Sequence, residues 1–146
     1  MGWWSGTPSI TGIDPDDLIT AAHELGHAVC AYAHGVGVTS ITLGLTTLDL
    51  PDDDDEFTPQ HWRAYLVGCM AGYEAEVLWA RRVGGTADKR QSGLDMRNFR
   101  TYRRRGRIDI TEGQARRAAR VAVKRNWGRI RRLAPVLAIE GSIAPW

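Results

Sequence analysis

The chain has 146 residues, 43% of them hydrophobic and 25% charged, the proportions of one soluble globular domain with a single core. It contains no run of about 18 apolar residues and opens on no basic-then-apolar leader. Neither a membrane span nor a signal peptide is therefore expected, and the cytoplasm is the expected compartment. The net charge of +2 hides a segregation: residues 1 to 62 hold ten acidic residues and no Lys or Arg, and all 19 basic residues follow from Arg63.

Residues 1–12 read as an N-terminal extension rich in Gly, Ser and Thr, with Trp3 and Trp4 as anchors. Asp14-Pro15-Asp16-Asp17 then has the form of a helix start: Asp14 at the N-cap, Pro15 at the first helical position, and two acids at the positive end of the dipole. The helix is expected to run to Gly35. Within it lies His23-Glu24-Leu25-Gly26-His27. Four residues advance a helix by about 400°, so His23 and His27 stand one turn apart on one face, from where two imidazoles reach one metal ion. Glu24 stands beside them, placed to take a proton from a water on that metal without ligating it.

Beyond a turn at Gly35-Val36-Gly37, Val38 to Leu45 alternates as a strand with Ile41, Leu43 and Leu45 on one face. Residues 49–58 form a loop containing Asp52-Asp53-Asp54-Asp55-Glu56, which lacks the spaced ligands and central Gly of a calcium loop and reads as solvated. A second helix, capped by Thr58, runs from Pro59 to about Val83 with Trp62, Leu66, Met70, Val77 and Leu78 at core spacing. Gly84-Gly85 breaks it. A third helix starts near Ser92 or Gly93 and carries Asp95, Phe99 and Tyr102, and a basic connector follows over residues 103–109. Thr111 caps one last long helix ending near Gly141. Cys30 and Cys69, without the C-x-x-C spacing of a zinc or redox pair, read as buried thiols.

Catalytic zinc usually takes three protein ligands and keeps one position open. Position 33, where a metzincin has its third histidine, is Ala33. His34 lies about 10 Å along the helix from His27, too far for the same ion, and reads as a residue of the last turn. His61 reads as structural. The remaining candidates are carboxylates: Glu74 or Glu76 on the second helix, or Asp95 on the third. Spacing alone does not choose between Glu76 and Asp95.

Taken together, these segments resemble the peptidase domain of the FtsH-type ATP-dependent zinc proteases. The metal helix of that family carries His-Glu-Ala-Gly-His-Ala, matched by His23-Glu24-Leu25-Gly26-His27-Ala28. A short strand follows, then a Gly-Gly-Arg-Ala-Ala-Glu-Glu helix that Ala71-Gly72-Tyr73-Glu74-Ala75-Glu76-Val77 loosely echoes. The family's Thr-Gly-Ala-x-Asn-Asp-Leu stretch, whose last Asp is the third zinc ligand, is similar to Gln91-Ser92-Gly93-Leu94-Asp95-Met96. The resemblance thus implies Asp95 as third ligand and leaves Glu76 as a residue supporting the site or an alternative ligand. It covers roughly residues 18–140 and does not extend to an ATPase domain. The family's Arg and its Asn-Asp pair are missing, and the stretch between Asp95 and the last helix is shorter. The His-Glu-Leu-Gly-His spelling also resembles the ImmA/IrrE-type repressor-cleaving peptidases, but their Glu-x-x-Ala-Asn helix has no counterpart after the metal helix.

The expected fold is mainly α (α+β): one zincin-like helical domain over residues 1–146, with a short strand or small sheet beside the metal helix. The expected function is that of a zinc-dependent metallopeptidase. One Zn²⁺ per chain is held by His23, His27 and Asp95, Glu24 is the base, and the strand around Ile41, Thr42 and Leu43 pairs with an extended protein or peptide substrate. A separate unfoldase is left open as a partner. The rival is a non-catalytic zinc-stabilised module whose Arg-rich half binds nucleic acid or an acidic protein. Packing of the acidic half against the basic half accounts for the charge pattern more simply, so nucleic acid is not favoured. Oligomeric state is not legible.

Overall fold

In the computed structural model, which describes residues 7–88, 91–106 and 108–146, the chain is mainly helical with one small antiparallel sheet. Trp3, Trp4 and the first half of the N-terminal extension lie outside the described residues. The elements are α1 (Pro15–Ala33), β1 (Val38–Thr42), β2 (Thr46–Leu48), a 3₁₀ turn (Asp54–Glu56), α2 (Pro59–Arg82), α3 (Gly93–Arg105), α4 (Glu112–Arg125), α5 (Trp127–Glu140) and β3 (Ser142–Ile143).

Local chemistry sets the helix starts. The Asp14 carboxylate accepts from the Asp16 amide at 2.9 Å, with Pro15 at the first position of α1. Thr58 and Thr111 each form a reciprocal capping box, the first with His61 and the second with Gln114. His61 is thereby a capping residue, its Nδ1 accepting from the Thr58 amide at 3.0 Å. His34 ends α1 as its C-cap.

From Leu18 to Ala31, α1 is buried on nearly every face. It is the central helix, packed by α2, α5, α4 and the sheet. One core cluster joins Leu18, Leu25, Val29, Ile41, Trp79, Ile130 and Leu137, and a second joins Leu66, Met70, Phe99, Ile110 and Ala119. Full burial of each Leu, Ile or Phe there contributes about 1.5–3 kcal/mol. The most extensive helix contact is α1 on α2. A Cβ at Gly26 would lie 2.6 Å from both the Ala71 carbonyl oxygen and the Ala75 Cβ, so only glycine lets the two helices approach this far.

The sheet runs β2-β1-β3, with Ile41 opposite both Thr46 and Ile143. Three sequence expectations change here. The strand expected over Val38 to Leu45 stops at Thr42, because the Thr42 amide donates to the Leu45 carbonyl at 2.9 Å and closes a hairpin. Leu45 at its tip is 62% exposed. The third helix continues to Arg105, so the connector begins only at Gly106. The last helix is two, parted at Asn126, whose side-chain amide donates to the Ala122 carbonyl at 2.8 Å and caps α4.

No helix among the described residues is long and apolar enough to cross a membrane.

Candidate metal centre

Two elements bring three side chains together. His23 and His27 project from one face of α1, and Asp95 from the first turn of α3. The Asp95 Oδ2 lies 3.2 Å from His23 Nε2 and 3.2 Å from His27 Nε2, and the two Nε2 atoms are 3.0 Å apart. Tetrahedral zinc with bonds of about 2.0–2.1 Å separates its ligand atoms by about 3.3 Å, so the triangle has the size such an ion needs.

The outer nitrogens decide what those atoms are. His23 Nδ1 sits 2.6 Å from Glu76 Oε2, and His27 Nδ1 sits 2.8 Å from the Gly68 carbonyl oxygen. A carboxylate and a carbonyl accept, so each Nδ1 donates outward and each Nε2 faces inward. Asp95 Oδ2 is buried and has no hydrogen-bond donor. Three atoms able to ligate a metal therefore face one space. That is costly unless a cation or a shared proton fills it.

The protonation preferences agree. Burial works against a charge on His23, but Asp95, Glu76 and the nearby charge of Glu24 outweigh it and raise its pKa to about 9. Burial likewise opposes the Asp95 charge, yet the two imidazoles hold its carboxyl well below the usual range. One proton serves one or two of the three atoms; a divalent cation serves all three.

Glu76 is fully buried and lies outside the triangle: one oxygen takes His23 Nδ1–H and the other accepts the Asp88 amide at 2.9 Å. Glu74 points elsewhere and pairs with Arg120 at 2.7 Å. Glu24, 6% exposed, lines the same cleft as the three ligand-type residues. The Thr46 hydroxyl, 3.0 Å from its Oε1 and 2.8 Å from its carbonyl oxygen, ties it to β2. The cleft encloses about 330 Å³, and Tyr65, Gln91, Leu94 and Asn98 complete its walls.

Sequence reasoning missed three supports. Gly72 makes room for His23, since a Cβ there would meet the imidazole ring at 2.4–2.7 Å. Gly68 contributes only a carbonyl, which no side-chain pattern signals. Thr46 reaches Glu24 only because the hairpin folds back. The substrate strand is corrected as well. β1 is the central strand, paired on both sides at Ile41, which is 1% exposed, and joined to β3 at Thr42, so Ile41, Thr42 and Leu43 offer no free edge. Instead Gly44, Leu45, Thr46 and Leu48 border the cleft.

Compared with known families and with curated proteins, the chain matches no family model and no curated protein.

Proposed function

We propose that this chain is a zinc-dependent metallopeptidase of the His-Glu-x-x-His type, with His23, His27 and Asp95 holding one Zn²⁺ and Glu24 as general base. The carrying observation is the triangle of His23 Nε2, His27 Nε2 and the buried Asp95 Oδ2, sized for zinc, with a carboxylate beside it that takes no part in it. Zinc held there supplies Lewis acidity, making water nucleophilic near neutral pH and polarising a carbonyl. Glu24 accepts the proton of the attacking water and returns it to the leaving amine. Thr46 restrains its carboxylate for both transfers. Glu76 and the Gly68 carbonyl keep the imidazoles in the ligating tautomer.

The outer edge of β2, at the rim of the cleft and opposite its pairing with β1, suits an extended polypeptide. This favours a peptide or protein over a compact ester as substrate. The cytoplasm fits the two free, buried thiols, Cys30 and Cys69.

Glu24→Gln tests the reading, because it keeps the shape and removes the base. The variant is expected to retain one zinc per chain by elemental analysis and to lose hydrolysis of an unfolded protein such as casein by about 10²–10⁴-fold. Undiminished hydrolysis by the zinc-loaded variant removes Glu24 from the chemistry. A wild type that takes up no zinc on reconstitution removes the metal centre itself.

A further inference from the structure

A second cleft, of about 350 Å³, lies between α2 and α4 and shares no lining residue with the metal cleft. Arg116, Arg120 and Lys124 recur every four residues on α4, so they form one row about 12 Å long. Arg81 lines the cleft from the last turn of α2, as does the half-buried Tyr73 next to Glu74 in the chain.

Glu74 gives the cleft its built character. It is 6% exposed, an expensive place for a carboxylate, and it accepts from Arg120 Nε at 2.7 Å. That bond uses the inner edge of the guanidinium and leaves the Arg120 side chain half exposed. The acidic half of the chain does little to neutralise the row. Among the described residues, the Arg–carboxylate pairs are Arg105–Asp54 and Arg120–Glu74, and only Asp54 comes from the first 62 residues.

We propose that this cleft binds a single nucleic-acid strand, its successive phosphates along Arg116, Arg120 and Lys124 with Arg81 on the α2 side, and a base stacked on Tyr73. A row of cations fits a linear chain of phosphates better than one isolated anion, and an aromatic ring beside the row suits a base, which inorganic polyphosphate lacks. The inference goes beyond the peptidase reading and does not depend on the metal.

The test is fluorescence anisotropy with labelled dodecathymidylate on the full chain. Arg116→Ala/Lys124→Ala is expected to weaken binding at least tenfold at fixed salt and to flatten the slope of log affinity against log salt by about 1.4. Arg100→Ala/Arg103→Ala removes the same charge from exposed positions of α3 and is expected to change affinity less than twofold. Tyr73→Ala is expected to weaken the oligonucleotide but not inorganic tripolyphosphate measured as a competitor. Circular dichroism checks that each variant is folded. Absence of binding, equal losses in the two double variants, an unaffected Tyr73→Ala, or displacement by a polyglutamate peptide as effective as by unlabelled oligonucleotide overturns the proposal.

Discussion

At the scale of single residues, the site is specified as much by what the histidines touch on their outer side as by the histidines themselves. Glu76 and the Gly68 carbonyl each take an Nδ1 proton, and without them either ring is free to present N–H instead of a lone pair to the centre. Glu76→Gln keeps the volume but replaces a charged acceptor by an amide oxygen, and the amide's donor end has no place beside Nδ1–H. Zinc affinity is expected to fall about 10–100-fold, measured by competition with a chromophoric chelator. An unchanged affinity assigns Glu76 to helix packing alone. The histidine pair and Glu24 were legible because a helix converts a five-residue spelling directly into a face. Glu76 and Asp95 were legible only as alternatives, since their roles depend on how close α2 and α3 come to α1. The approach of α2 to α1 rests on Gly26 and Gly72, whose missing side chains carry no chemical signal of their own.

At the scale of elements, the starts of α1, α2 and α4 were legible, and the start of α5 and some of the ends were not. Asp14, Thr58 and Thr111 cap through their own side chains, within three residues, and local sequence suffices for that. The split at Asn126 and the hairpin at Thr42–Leu45 depend on how the following segment packs: α5 turns back over α1, and β2 returns along β1 toward Glu24. In the proposed metal-bound state, the third helix is the element whose position the ion most affects. It packs chiefly on α2, buries Phe99 alone, and has no side-chain cap at Ser92, yet it carries Asp95. In the proposed holo state the ion joins it to α1. Hydrogen exchange read by mass spectrometry is expected to show faster exchange across residues 94–105 when a chelator removes zinc, with residues 18–31 of α1 little changed. Equal protection in both states means α2 alone holds α3.

At the scale of the whole molecule, the core and the metal centre are separable. The two buried clusters run through all five helices and the sheet without using any of the three ligand-type side chains. In this the chain differs from zinc fingers, whose few apolar residues cannot support a fold once the ion is gone. The metal-free protein is therefore expected to keep its helical circular dichroism and a cooperative melt. In the proposed reading zinc binds the folded triangle and has no comparable site in the unfolded chain, where His23 and His27 are far from a fixed Asp95, so binding is expected to add stability by mass action. At a free zinc concentration about a thousandfold above its dissociation constant the gain is about 4 kcal/mol, or about 8–16 °C in Tm for a chain of this size. Asp95→Ala removes one of three ligands and is expected to shrink that shift by more than half, with the metal-free melt still cooperative. Loss of all helical signal on chelation instead makes the ion a structural element. The base Glu24 would then sit beside a metal whose first task is to hold the chain together.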